Sequence, residues 1–175
     1  MNGGNQTVYE GKALTLQLEQ AIYPDGSTET LEIVRHPGGA GVIAVNHHHQ
    51  ICLLRQYRFA VDNWLWEVPA GRIEHGEIPL ETAKRELLEE AGVTANRWHP
   101  LGSLFPSPGI CDERISLFIA RDITMTNTAH ESTEFIEIHW LPLAEAINCV
   151  SKGEVYDAKT MIALFAAHNY LEGQI

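Results

Sequence analysis

Between Pro79 and Gly92 the chain writes a helix that its own charges oppose. Proline suits the first helical position, where its missing N–H costs nothing. No breaker interrupts Thr82 to Ala91, and Gly92 suits the left-handed residue that ends a helix. Leu80, Ala83, Leu87 and Ala91 repeat at the helical period and mark one buried face. Glu86, Glu89 and Glu90 occupy adjoining positions beside that face, at the boundary with the core. Like charges at this spacing repel, more strongly when partly buried, and the helix dipole disfavours anions toward the C-terminal end. A solvated acidic face is one reading of such a run. A hard divalent cation among the carboxylates is the other, and it removes both penalties. Ligands that are all oxygen favour Mg²⁺, with Mn²⁺ as substitute, over zinc.

Around this helix the chain alternates strands with helices. Leu14–Tyr23 and Glu29–His36 alternate at period two about the turn Pro24–Gly26 and predict a hairpin. Val42–Val45 and Ile51–Phe59 predict a second strand pair around the loop that holds His47, His48 and His49. The continuous apolar start of Ile51–Phe59 reads as a strand buried on both faces. Trp64–Gly71 predicts a short strand stopped by Pro69 and Gly71. Arg114–Ala120 and Glu134–Leu141 read as strands, Leu143–Val150 and Tyr156–Leu171 as helices. At 175 residues this predicts an α/β chain with a mixed sheet covered by helices. The triple histidine lacks metal-ligand spacing and reads as a plain loop. Trp64 and Trp66 share one side of a strand and read as packing residues.

Charge narrows the function. A net charge of -11 without a Lys/Arg cluster argues against nucleic acid as partner. An acidic chain can still bind a polyanion if a bound cation reverses the local sign. No apolar run is long enough to span a bilayer, and the first residues lack the pattern of a secretory signal, so a cytoplasmic protein is expected. Cys52, Cys111 and Cys149 are few, odd in number and widely spaced, and read as inert thiols.

The spacing around the helix is specific. Gly71, five residues, Glu77, seven residues, then Arg85-Glu86-Leu87-Leu88-Glu89-Glu90-Ala91-Gly92-Val93 matches a 23-residue signature, and on it the chain resembles the Nudix hydrolases. The resemblance implies the Nudix fold, with the mixed sheet sandwiched between helices, and metal-dependent hydrolysis of a nucleoside diphosphate linked to another group. It makes Glu86 and Glu90 the main metal ligands, Glu89 a further ligand or water activator, and Arg85 the group that orients the carboxylates. The carbonyl of Ala70 would also bind metal, and Glu77 would be a structural brace.

Further stretches, among them Ile51–Gly71 and Ser103–Ala120, resemble the ADP-ribose pyrophosphatase branch, and Pro106–Gly109 supplies its loop proline. This branch implies Mg²⁺-dependent cleavage of ADP-ribose to AMP and ribose 5-phosphate. A different nucleoside diphosphate sugar such as GDP-mannose is the alternative, and a non-catalytic nucleotide sensor the remote one. By the same resemblance Arg58 contacts substrate and Glu113 faces its ribose or phosphate side. Arg35 is lent across a homodimer interface, and Glu134 is the late glutamate that binds metal or activates water, with Glu131 as competitor. Residues 1–40 would be an N-terminal antiparallel β-hairpin extension that dimerises, and residues 41–175 the Nudix domain. Tyr9 and Tyr23 are candidates for stacking the base.

Overall fold

A computed structural model describes residues 5–128 and 135–173. Ten strands and three α-helices follow in the order β1 (Gln6–Glu10), β2 (Thr15–Ile22), β3 (Thr28–Arg35), β4 (Gly39–Ala44), β5 (Gln50–Arg58), β6 (Asn63–Glu67), β7 (Ala70–Arg72), α1 (Pro79–Ala91), β8 (Val93–Leu104), β9 (Ile115–Met125), β10 (Ile136–Pro142), α2 (Leu143–Ser151) and α3 (Ala158–Glu172). The expected hairpin is present as β2 and β3, paired from Thr15↔Arg35 to Ile22↔Thr28. A third strand, β1, adds to it antiparallel, so the extension is a three-stranded sheet.

The rest of the chain builds two further sheets. One has the order β7-β4-β9-β8 and is mixed, with β4 and β9 parallel; the other, β10-β5-β6, is antiparallel. This corrects two expectations. β4 and β5 do not form a hairpin around the histidine loop; they belong to different sheets, joined by the bridge Val45↔Ile51. The stretch Trp64–Gly71 is not one strand. Pro69, which has no N–H to give a ladder, separates β6 from β7, and the chain changes sheets there.

Helices cover both sides, as the mixed-sheet sandwich requires. Residues at successive strand positions point to opposite faces. Val42 and Ala44 of β4 and Cys52 and Leu54 of β5 pack with Ala83, Leu87 and Ala91 of α1. Ile43, Ile51 and Leu53 pack with Ala146 of α2 and Ala163, Leu164 and Ala167 of α3 on the other side. The run Ile51–Leu54 is wholly buried, as its unbroken apolarity predicts. Leu87 and Leu164 are fully excluded from solvent, each worth about 1.5–3 kcal/mol of burial. α1 therefore has a fixed apolar side, which determines where its glutamates stand.

Candidate active site

One wall of the site comes from a single stretch of chain. α1 spans the residues predicted for it, from Pro79 at its start to Gly92 at φ 62° beyond its end. A Cβ on Gly92 would stand 2.7 Å from the carbonyl oxygen of Thr126, so glycine is required twice, for conformation and for space. β7 runs alongside, held by β4 through Ala40↔Gly71 and Gly41↔Ala70. The Ala70 N–H donates to Glu90 Oε2 at 2.9 Å. At Gly71 a Cβ would stand 1.9 Å from Glu86 Oε1. The carboxylates of Glu86 and Glu90 thus both lie against the Ala70–Gly71 backbone, and any side chain at position 71 would displace one of them.

Arg85 ties the remaining acids together. Its Nη1 donates to Glu86 Oε1 at 2.6 Å and to Glu89 Oε2 at 3.0 Å. Its Nε and Nη2 donate to the two oxygens of Glu77 at 2.9 and 3.2 Å, and Nη2 also to the Arg72 carbonyl at 3.0 Å. Glu77 closes the brace by accepting from the Glu74 N–H and the Thr82 hydroxyl. The hydrogen bonds from Arg85, then those from Glu74 and Thr82, hold Glu77 well below its ordinary 4.5, at about 2. The same carboxylates raise the Arg85 guanidinium further above its already high range.

The donor set fits a hard divalent cation. Glu90 is only 4% exposed, and the carboxylates of Glu86 and Glu90 together with the Ala70 carbonyl offer oxygen alone. Among the described residues no three His, Cys, Asp or Glu side chains converge as a metal site. Arg85 draws Glu86 and Glu89 toward itself. The predicted late ligand Glu134 and its competitor Glu131 lie outside the described residues.

The facing wall is assembled from distant parts of the chain. A cleft of about 330 Å³ is bounded by Ala70 and Gly71 on one side and by His36, Arg58, Glu113 and Lys159 on the others. Arg58, at the end of β5, donates Nε and Nη2 to the two oxygens of Glu67, both at 2.7 Å. Glu67 is 2% exposed and also receives Lys159 Nζ at 2.5 Å. Burial pushes the Glu67 carboxyl up, but the Arg58 hydrogen bonds and the Lys159 charge outweigh it, and the group stays below its ordinary range. His36 Nδ1 accepts from the Gly38 N–H at 3.1 Å and stands 3.5 Å from Glu113 Oε1.

Arg58 and Glu113 therefore line the cleft with Ala70, Gly71 and Arg72, and Arg35 does not. It donates to Glu19 and Asp112 in a second cleft between the N-terminal sheet and the loop from Phe105 to Asp112. Tyr9 is on that sheet and Tyr23 just past the end of its second strand, and both are exposed. The three histidines occupy a turn fastened by the Asn46 side chain, which accepts from the His48 and Gln50 N–H groups. Trp66 packs on the core and edge-on to His139, whereas Trp64, partly exposed, meets Tyr57 and Arg55. The three thiols are free, and burial followed by the nearby Glu90 charge pushes Cys52 up to about 12. Glu67, His36 and Lys159 escaped the sequence reading. A glutamate ending a tryptophan-rich strand was a legible signal for Glu67; nothing local marks the other two.

Comparison with known proteins agrees with this geometry. Residues 35–165 match the model of the NUDIX domain family. The chain is 36% identical over 161 residues to the ADP-ribose pyrophosphatase of Bacillus subtilis, spanning 91% of this chain and 87% of that protein. It is 37% identical, with the same shares, to the methanol dehydrogenase activator of Bacillus methanolicus. A crystal structure described as an ADP compounds hydrolase superposes with a TM-score of 0.83 at 24% identity, covering 98% of this chain and 93% of that one, a likeness of fold.

Proposed function

The chain belongs to the Nudix family, and from that premise we propose that this hydrolase cleaves the pyrophosphate bond of ADP-ribose, with Mg²⁺, to AMP and ribose 5-phosphate. The observation that carries the reading is the seating of Glu86 and Glu90 together against Ala70–Gly71, the backbone that lines the cleft. Glu86, Glu90, Glu134 and the Ala70 carbonyl would hold the metal. When bound, Mg²⁺ supplies charge neutralisation at the diphosphate oxygens and lowers the pKa of a water. Glu89 or Glu134 takes the proton as the water oxygen bonds to phosphorus and the bridging oxygen leaves with the other phosphate. Arg85 orients Glu86 and Glu89 through charge-assisted hydrogen bonds. Arg58 pairs with phosphate, a match of guanidinium and oxyanion geometry. Glu113, across the cleft, accepts from ribose hydroxyls.

GDP-mannose is the alternative substrate, because the box recognises diphosphate and metal while the base is read elsewhere. The test is a product assay with Mg²⁺ over ADP-ribose, GDP-mannose, NADH and 8-oxo-dGTP. The expected result is fastest release of AMP and ribose 5-phosphate from ADP-ribose, abolished by EDTA. Preference for GDP-mannose would move the substrate assignment; no turnover of any of them would end the hydrolase reading for this chain.

The N-terminal sheet ends at Arg35 and β4 begins at Gly39, which supports a boundary near residue 40. Val8, Tyr9, Ile22 and Tyr23 are exposed on or beside that sheet, and this supports its use as the contact of a homodimer that lends Arg35 to a partner. A fully active species with the 19.5 kDa mass of one chain by light scattering would remove the dimer from the proposal.

A further inference from the structure

Lys159 has no part in the roles given above, yet it is among the most constrained cations of the cleft. Its side chain is 12% exposed and lines the cavity beside Ala70–Gly71 and Arg58. It lies in the first turn of α3, which is fastened to the segment joining β6 and β7. The Thr160 hydroxyl, fully buried, accepts from the Val68 N–H at 2.9 Å and donates to Asp157 at 2.5 Å. Asp157 caps the helix by accepting from the Thr160 N–H at 3.0 Å. Val68 lies two residues before Ala70, so Lys159 and the β7 backbone are held by one short chain of contacts.

Lys159 pairs with two acids, Glu67 and Asp157, and at the same time lines the cleft beside Arg58. Glu67 already has a full partner in Arg58, which engages both carboxylate oxygens. Lys159 adds a second positive charge on the same buried carboxylate, at 2.5 Å. Asp157, the other acid near Lys159 at 3.0 Å, sits at a helix N-terminus, where the dipole already compensates it. Lysine carries three N–H donors. Glu67 takes one at 2.5 Å and Asp157 stands in an ion pair at 3.0 Å, so the ammonium retains donor capacity where it lines the cleft. Arg58 uses Nε and Nη2 on Glu67 and keeps Nη1. One carboxylate thus fixes two cations side by side, each with donor capacity toward the same cavity.

We propose that Lys159 is a substrate-binding residue which, together with Arg58 and held beside it by the shared carboxylate of Glu67, forms a two-cation clamp for the diphosphate of the substrate. The clamp lines the same cleft as Ala70 and Gly71, the backbone against which Glu86 and Glu90 lie. A diphosphate between the two walls meets direct cations on one side and carboxylates, with whatever cation they hold, on the other. Because both cations are anchored before substrate arrives, little ordering remains to be done on binding. Glu67 is a positioning residue in this scheme: it touches no substrate and acts through Arg58 and Lys159.

The inference rests on the pyrophosphatase reading, and the experiment separates the two. Wild type, Lys159→Met and Lys159→Arg are compared at saturating Mg²⁺ on ADP-ribose, with the melting temperature of each recorded. Binding of the non-hydrolysable α,β-methylene analogue of ADP-ribose is titrated in parallel. A charge-assisted hydrogen bond lost from a bound phosphate gives about a 10- to 100-fold rise in KM and in the analogue's Kd. We expect that rise in Lys159→Met with kcat within about threefold of wild type, and Lys159→Arg restoring most of it. Unchanged KM and Kd in a Lys159→Met protein of normal melting temperature would overturn the clamp and leave the hydrolase reading intact. A loss confined to kcat would overturn it too. Should Lys159→Met melt early, Lys159→Gln in the same titration decides on the same criteria. A wild type that ignores ADP-ribose defeats the function instead; the comparison then runs on whichever nucleoside diphosphate sugar it cleaves.

Discussion

The two walls of the cleft differ in how the chain makes them. The acidic wall is local: Ala70 to Glu90 supplies backbone, brace and carboxylates within one strand, loop and helix. The basic wall is assembled from β5, β6, the loop before β9 and the first turn of α3, and two of its members, Glu67 and Lys159, are 92 residues apart. The acidic wall holds its glutamates close together with one arginine among them. The basic wall buries one glutamate beneath two cations. A carboxylate cluster can be written in a contiguous stretch, because a helix and its flanking strand place their own side chains. The cations of the facing wall are brought together only by the closed fold.

This contrast predicts different kinetic signatures from the two walls. The largest effect belongs to the acidic one. Glu90→Gln keeps an oxygen for the Ala70 N–H but removes a charge from the donor set proposed for the metal. Loss of several kcal/mol of transition-state stabilisation corresponds to a fall in kcat of about 10³-fold. The fold should survive, with the melting temperature within a few degrees, because the apolar side of α1 is untouched. Near wild-type turnover would break the distinction at its strongest point.

On the basic wall Arg58→Lys retains the charge and gives up the two-toothed grip on Glu67. A rise in KM of about tenfold with a smaller change in kcat is the expected result, measured by initial rates on ADP-ribose. A change in kcat alone would place Arg58 with the chemistry and merge the two walls into one unit.

The smallest effect sharpens the comparison through pH. Glu77 titrates at about 2 in the folded chain against an ordinary 4.5. A depressed carboxylate stabilises the fold fully above its unfolded value and loses that contribution as pH falls from 4.5 toward 2. Thermal melts should show Glu77→Gln less stable than wild type at neutral pH by a gap that stays constant down to about pH 5 and then narrows. A gap that persists unchanged into strong acid would mean that the brace works by packing rather than by charge. The effect is modest, since the Glu77 side chain is 21% exposed and water screens the pair.

Much of the acidic wall could be read from the letters. α1 has the predicted limits, with Gly92 at positive φ, because the stop signals and the apolar period are properties of neighbouring residues. Glu77 is the brace that the signature implies. The reason for Gly71 was partly legible as a place where a side chain would be in the way; that the obstructed group is Glu86 came only with the fold. The sheet arrangement was misread at Pro69 and around the histidine loop, because strand periodicity shows that a segment is extended without naming its neighbour. Two consecutive strands in a hairpin and two in separate sheets have the same alternation.

The sequence by itself determined the family, the acidic helix and the identity of the carboxylates, since each rests on spacing along a continuous chain. Tertiary structure alone decided that Arg58 meets Glu67, that Lys159 joins them, and that Arg35 turns to a second cleft of its own chain. Those pairings depend on which strands and helices pack side by side. Packing is governed by the burial of both faces of the sheets, a sum over the whole core that no short stretch of residues contains.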